Sequence, residues 1–180
     1  MSRKLCSIFL SPAPGDAAWA SRLISDLAAA HGTIPFEPHL TLHSGVGDPL
    51  VAGEVLAAEA AALSPRRLRV RRIGATEEFF RSVFIEFQVE DRLLQLREVV
   101  KPLLEREKER PFLPHLSLLY AEMPLVRKEE IAAGVCVPPT LTFDRLKIVT
   151  LRDPDRGWGD FRGWETLREI PLSGVAGEAG

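Results

Sequence analysis

Cysteine is nearly absent. Only Cys6 and Cys136 occur in 180 residues. They lack metal-ligand spacing and nothing else in the chain points to export, so they read as reduced thiols rather than a disulfide framework. Charge of one sign is also missing: 23 Lys and Arg stand against 25 Asp and Glu, a formal net charge of −2. That balance argues against a long electrostatic track for nucleic acid and favours a small or short phosphorylated ligand. No apolar run is long enough to cross a bilayer. The stretch LCSIFL after Arg3 and Lys4 ends at once in SPAPG, too short for a secretory core. The expectation is a cytoplasmic monomer without a membrane partner. No linker divides the chain, so residues 1–172 read as one domain. The tail 173–180 (SGVAGEAG) lacks an apolar payload and is expected to be disordered.

What is present is an internal repeat. Residues 35–45 read PFEPHLTLHSG and residues 111–121 read PFLPHLSLLYA. A unit found twice points to a duplicated lobe rather than a solenoid. Pro38 and Pro114 lack a backbone N–H and hold the preceding residue extended, so each marks a strand entrance. His-Leu-Thr-Leu and His-Leu-Ser-Leu then alternate with the period of a half-buried strand. Leu40, Leu42, Leu116 and Leu118 should face a core. His39 and Thr41 share the opposite face, roughly 6–7 Å apart along the strand, and His115 and Ser117 repeat the arrangement. A pseudo-twofold axis would bring both imidazoles and both hydroxyls to one cleft.

The remaining periodicities predict a β-α-β-α-β-β-α-β-α-β-β order. Residues 4–10 form the first strand. Asp16 is a candidate cap for a helix whose stripe is Trp19, Leu23, Ile24 and Leu27, stopped by Gly32. Asp48 and Pro49 open a second helix over 50–63. Leu68 and Val70 alternate with Arg67, Arg69 and Arg71 on the next strand, and 82–89 (SVFIEFQV) pairs with it across a turn near Glu77. Asp91 opens a third helix through Lys108, with Leu93, Leu94, Leu96, Val99, Leu103 and Leu104 as its apolar positions. A strand at 115–121, a helix at 126–133 and a strand at 141–151 follow. The segment RDPDRGWGDFRG is a turn-rich loop and WETLREIPL the last strand. This is an α+β chain of two related antiparallel lobes with helices outside and a central cleft.

Two imidazoles of near-neutral pKa suit general acid–base catalysis, one taking a proton while the other gives one. Hydroxyls two residues away can donate to a phosphoryl oxygen as charge builds there. Together they match in-line displacement at phosphorus, and a strained cyclic phosphodiester needs no metal to expel its leaving group. A metal site would want three or four His, Cys or carboxylate ligands. His39, His43 and His115 alone could gather, without a carboxylate in either motif, so no metal or other cofactor is expected. His43 is expected on the face of His39 and Thr41, as a pocket rim or a solvated edge. His31 reads as a charge partner at a helix C-terminus. Arg67, Arg69 and Arg71 read as a solvated strand face before a phosphate site. Phe79 and Phe80 read as base-stacking or core residues.

The paired His-x-Thr/Ser motifs resemble those of the two-histidine (2H) phosphoesterase superfamily. FEPHLTL, EEFFRSVFIEF, FLPHLSLLYAEM and the late LTFDRLKIV…WETL together resemble the plant and yeast cyclic phosphodiesterase branch, over nearly the whole chain. The resemblance implies the bilobal 2H fold. It implies hydrolysis of ADP-ribose 1″,2″-cyclic phosphate to ADP-ribose 1″-phosphate, downstream of tRNA splicing, and of nucleoside 2′,3′-cyclic phosphates to 2′-phosphates. His39 and His115 would be catalytic, with His115 activating water and His39 protonating the leaving oxygen. Thr41, Ser117, Tyr120, Phe80 and Ser82 would contact substrate. Strict alternation turns Tyr120 away from His115, so its role requires a bulge or strand end. Two other functions compete: RNA 2′,3′-cyclic-end processing or 2′–5′ ligation, and a nucleotide-binding module without chemistry.

Overall fold

The computed structural model describes residues 3–106, 111–151 and 161–174. Its elements follow the expected order. They are β1 (Lys4–Pro12), α1 (Pro14–His31), β2 (Leu40–Gly47), α2 (Pro49–Ala61), β3 (Arg66–Ala75) and β4 (Val83–Phe87). Next come α3 (Asp91–Val100), β5 (His115–Leu119), α4 (Leu125–Gly134), β6 (Thr140–Leu151) and β7 (Trp164–Pro171). Short 3-10 turns at Phe79–Arg81, Lys101–Leu103 and Phe161–Gly163 lead into β4, end α3 and precede β7.

All strand pairings are antiparallel. One layer runs β2-β1-β6-β7 and the other β5-β4-β3. The layers are hydrogen-bonded at two seams, Leu40 opposite Leu116 and Arg66–Arg69 of β3 against Thr140–Phe143 of β6. The two expected lobes therefore form one seven-stranded sheet. The Leu40–Leu116 pair joins equivalent positions of the repeat, and an antiparallel pairing of equivalent residues is a local twofold axis. The helices obey it: α1 packs on β5 and α3 on β2, each covering the motif strand of the opposite half. Leu40, Leu42, Leu116 and Leu118 are buried in the core with Ile8, Leu10, Ile85 and Phe87.

Several local expectations shift. Pro14, with φ preset for a first helical position, opens α1 after Ala13. Asp16 is therefore inside the first turn, and its carboxylate instead accepts from the Thr142 N–H at 2.7 Å. The fully buried line of α1 is Ala20, Ile24 and Ala28, because small residues allow close approach; Trp19, Leu23 and Leu27 flank it. Asp48 does cap α2, accepting from the Leu50 N–H at 2.9 Å, and Gly32 ends α1 with a φ of 65°. The third helix stops at Val100, since Pro102 cannot continue its ladder; Lys108 lies outside the described residues. Leu94 is exposed, and Val100 joins Leu93, Leu96 and Leu104 in the core.

Beyond α3 the chain crosses the end of β2. Val46 and Glu105 exchange two backbone hydrogen bonds, 2.8 and 2.9 Å long. A Cβ at Gly45 would overlap the Glu105 carbonyl, so glycine is what permits this approach. Residues 152–160 of the turn-rich loop lie outside the described residues. Ser173 and Gly174 donate from their backbone to the Ala60 and Leu63 carbonyls; 175–180 lie outside the description.

Candidate active site

Each motif strand enters in the same way. The His39 Nδ1–H donates to the Glu37 carbonyl at 2.7 Å, and the His115 Nδ1–H to the Leu113 carbonyl at 2.8 Å. A carbonyl can only accept, so both rings hold their proton on Nδ1 when neutral, leaving Nε2 to give or take a proton. Proline at the intervening position keeps that carbonyl extended beneath the ring.

After the hydroxyl residue, both strands bulge. Phe9 opposes Thr41 but Ile8 opposes His43, so Leu42 is the extra residue. In the second half Phe84 opposes Ser117 but Val83 opposes Leu119, which makes Leu118 the extra residue at the equivalent place. A bulge resets which side chains face the cleft. It brings Tyr120 to the cavity, meeting the condition alternation imposed. It also brings up Ser44, whose hydroxyl lies 2.6 Å from Ser7. His43 nevertheless lines the cavity with His39 and Thr41, as a pocket rim. It lies opposite Ile8, buried, with its Nε2–H donating to the Leu104 carbonyl at 3.0 Å, and is no solvated edge histidine.

His39, Thr41, His115, Ser117, Phe80 and Tyr120 all line one cavity of about 440 Å³. Ser117 donates to the Phe80 carbonyl at 2.7 Å, so its hydrogen is engaged while Thr41 faces the cavity. Ser82 does not reach this space. It is fully buried, its hydroxyl 2.9 Å from the Ala121 carbonyl and accepting from the Ala121 N–H at 3.1 Å. That clamp ties the Phe79–Arg81 turn to the end of β5. Arg67, Arg69 and Arg71 are not among the lining residues; Arg67 bonds Thr140, and Arg71 joins Arg72 on the buried Glu86 carboxylate.

Burial is the first influence on the titrating groups. It pushes the His39 pKa down to about 4, with the His115 and Lys147 charges adding to the shift and the Glu37 carbonyl opposing it. His115 is also lowered by burial, while its Leu113 hydrogen bond and the nearby Glu78 and Glu86 pull the other way. Burial raises the Tyr120 phenol well above its ordinary value, against a hydrogen bond with Ser117. In these surroundings both histidines are therefore neutral near pH 7.

Sequence reasoning missed several lining residues: Phe9, Arg81, Arg97, Arg106 and Trp164. A signal existed for the first. Ser7-Ile8-Phe9 and Ser82-Val83-Phe84 repeat, and the strands carrying them flank β2 and β5 equivalently. Phe9 stacks on His39 with centroids 3.9 Å apart, and Phe84 meets His115 edge-on at 5.6 Å. No local pattern marked the arginines or Trp164, which tertiary packing delivers from the turn before β4, from α3 and the chain after it, and from the start of β7.

Among the described residues, no group of three or more His, Cys, Asp and Glu could hold a metal ion, and no helix is long and apolar enough to cross a membrane. The backbone matches that of E. coli LigT crystallised with phosphate, at 17% identity and a TM-score of 0.58, covering 96% of this chain and 99% of that one. TT0787 of Thermus thermophilus matches at 19% identity and 0.58, covering 96% and 100%. No curated protein matches this chain. A family profile described as cyclic phosphodiesterase-like protein matches residues 5–141, a span that contains both histidine motifs and both bulges. The chain thus belongs to the cyclic phosphodiesterase-like family of the 2H phosphoesterase superfamily.

Proposed function

We propose that this protein opens cyclic phosphodiesters on small nucleotides without a metal ion. Its substrates would be ADP-ribose 1″,2″-cyclic phosphate, giving the 1″-phosphate, and nucleoside 2′,3′-cyclic phosphates, giving 2′-phosphates. The observation that carries this reading is the pair of imidazoles lining one cavity with their Nδ1 protons both committed to backbone carbonyls. One Nε2 is then a base and the other, once protonated, an acid.

In the proposed step His115 Nε2 takes a proton from water as its oxygen attacks phosphorus. The phosphorus–oxygen bond on the opposite side breaks, and His39 Nε2–H protonates the departing sugar oxygen. One water is consumed and a phosphomonoester is left. Because burial first, and then the His115 and Lys147 charges, keep His39 neutral, it acquires its proton when the anionic phosphate arrives beside it. The Thr41 hydroxyl donates to a non-bridging oxygen. Ser117, held by the Phe80 carbonyl, must turn to do the same. Phe80, Tyr120 and Trp164 offer an aromatic wall for a base. The protein would act as a monomer in the cytoplasm.

The arginines lining the cavity, Arg81, Arg97 and Arg106, favour a second reading, in which the cyclic ester ends an RNA strand. One experiment separates these. The purified protein, in EDTA, is given ADP-ribose 1″,2″-cyclic phosphate, the four nucleoside 2′,3′-cyclic phosphates and an oligonucleotide with a cyclic terminus. Opening of the small substrates supports the first reading, and opening of the oligonucleotide alone the second. Binding without turnover leaves a nucleotide-binding module, and activity that returns only with a metal ion sinks the metal-free scheme.

A further inference from the structure

Arg97 is poised for an anion other than the ester being opened. Its side chain is only 12% exposed. The guanidinium lies over the Phe112 ring, 4.9 Å from the centroid, and Phe112 belongs to the second motif segment. Among the described residues its Nε has no hydrogen-bond partner, and its one carboxylate neighbour, Glu98, is 3.7 Å away. A nearly buried cation so weakly matched is costly unless something else completes it. Arg97 lines the same cavity as the histidines, together with Arg106 and the Ser7–Ser44 hydroxyl pair. Arg106 and His43 also line a neighbouring cavity of about 660 Å³ that holds Arg3 and Lys101. The Val46–Glu105 backbone pair fixes the chain just before Arg106 against β2.

Position along β2 separates this cluster from the chemistry. Ser44 lies opposite Ser7, two residues along β1 from Phe9, the partner of Thr41, which is roughly 7 Å of strand rise. The aromatic wall, with Trp164 against Phe9 and His39, gathers at the other end of the motif strand. A ligand with its cyclic phosphate at the histidines and its base on the aromatics would send its remaining polar end toward the arginines.

Resting on the proposed activity, we propose that Arg97 and Arg106 form a subsite for a second phosphate, remote from the ester being opened. A guanidinium fork suits phosphate oxygens, and a preformed, partly desolvated one discriminates strongly. The protein should therefore prefer substrates bearing that phosphate over the bare nucleoside cyclic phosphate. Its source is either a phosphate on the 5′-carbon of a small nucleotide, as the diphosphate of ADP-ribose is on its 5″-carbon, or the phosphodiester of a preceding nucleotide.

The test compares kcat/KM for adenosine 2′,3′-cyclic phosphate, its 5′-phosphorylated form and a dinucleotide ending in a 2′,3′-cyclic phosphate. The phosphorylated forms should be favoured by about ten- to a hundredfold, the range of a charge-assisted hydrogen bond or two. Whichever of the two leads identifies the source. Affinity is read separately, by calorimetry, as Kd for adenosine 2′-phosphate against adenosine 2′,5′-bisphosphate. Arg97→Met and Arg106→Gln should each bring both ratios toward one, with circular dichroism establishing that the variants are folded. Equal kcat/KM and equal Kd in the native protein overturn the subsite. So does a preference that survives both substitutions. Absent turnover with a retained bisphosphate preference would instead strike at the hydrolytic reading and leave the subsite standing.

Discussion

His39 lies face to face with Phe9, rings 3.9 Å apart and 18° from parallel, whereas His115 meets Phe84 edge-on at 5.6 Å. The two halves otherwise share an entrance, a tautomer and a bulge. Their difference is in water and charge. His39 is 8% exposed and its pKa falls to about 4. His115 is more open and has Glu78, Glu86 and Arg81 in its field. The hydroxyls differ too: Thr41 faces the cavity, while Ser117 is spent on the Phe80 carbonyl. The repeat supplies matched parts, and unequal surroundings then allow unequal tasks, since the proposed step needs one ring protonated when the other is not.

The comparison breaks most decisively at the histidines. His39→Ala and His115→Ala should each lower kcat by about 10²–10⁴-fold in steady-state assays; near-normal turnover in either would remove that ring from the chemistry. The division of labour is sharpened by a cyclic substrate with sulfur in place of the departing oxygen, which leaves without a proton. It should restore much of the rate to His39→Ala and little to His115→Ala; the opposite rescue would exchange their roles.

The hydroxyls come next. Thr41→Ala should cost kcat about 10–100-fold as a lost donor to developing charge. Ser117→Ala should cost less activity but about 1 kcal/mol of stability in denaturant melts, because the Phe80 carbonyl loses its partner. Equal kinetic losses would mean that Ser117 turns fully toward the substrate.

The smallest effects concern protons. Binding of a nucleoside 2′-phosphate should be accompanied by proton uptake at pH 6–7, visible as a calorimetric enthalpy that varies with buffer; its absence would show that His39 stays neutral beneath the anion. Stability should also respond. Unfolded His39 binds its proton below about 6.5, but the folded ring only near 4, so acid favours the unfolded chain across that window. His39→Asn should flatten the fall in Tm between these pH values, and an unchanged slope would assign the fall to other groups.

Much of this was legible in residue order. The repeat at Pro35–Gly45 and Pro111–Ala121 identified both strands that carry the cavity's histidines, and the alternation after each proline placed Leu40, Leu42, Leu116 and Leu118 in the core. Asp48, Pro49 and Gly32 marked helix ends through local rules alone. The errors fall where a local rule met a longer-range contact. Asp16 looked like a cap, but Pro14 opened the helix first and Thr142 took its carboxylate. His43 does reach the cavity rim, but it is buried and held by the Leu104 carbonyl rather than solvated. Ser82 was drawn to the substrate by analogy and is used by the backbone of Ala121.

Local residue order was enough for the element order and the duplicated imidazole–hydroxyl strands, because these follow from steric limits and short-range periodicity. Long-range packing supplied the rest. It closed two lobes into one hydrogen-bonded sheet, used a bulge in each motif strand to choose Tyr120 and Ser44 for the cavity, and brought Arg97, Arg106 and Trp164 from distant segments. Those outcomes depend on strand register and on burial, which no window of neighbouring residues contains. A one-residue slip reverses every side chain beyond it, and desolvation is set by whatever packs above the ring.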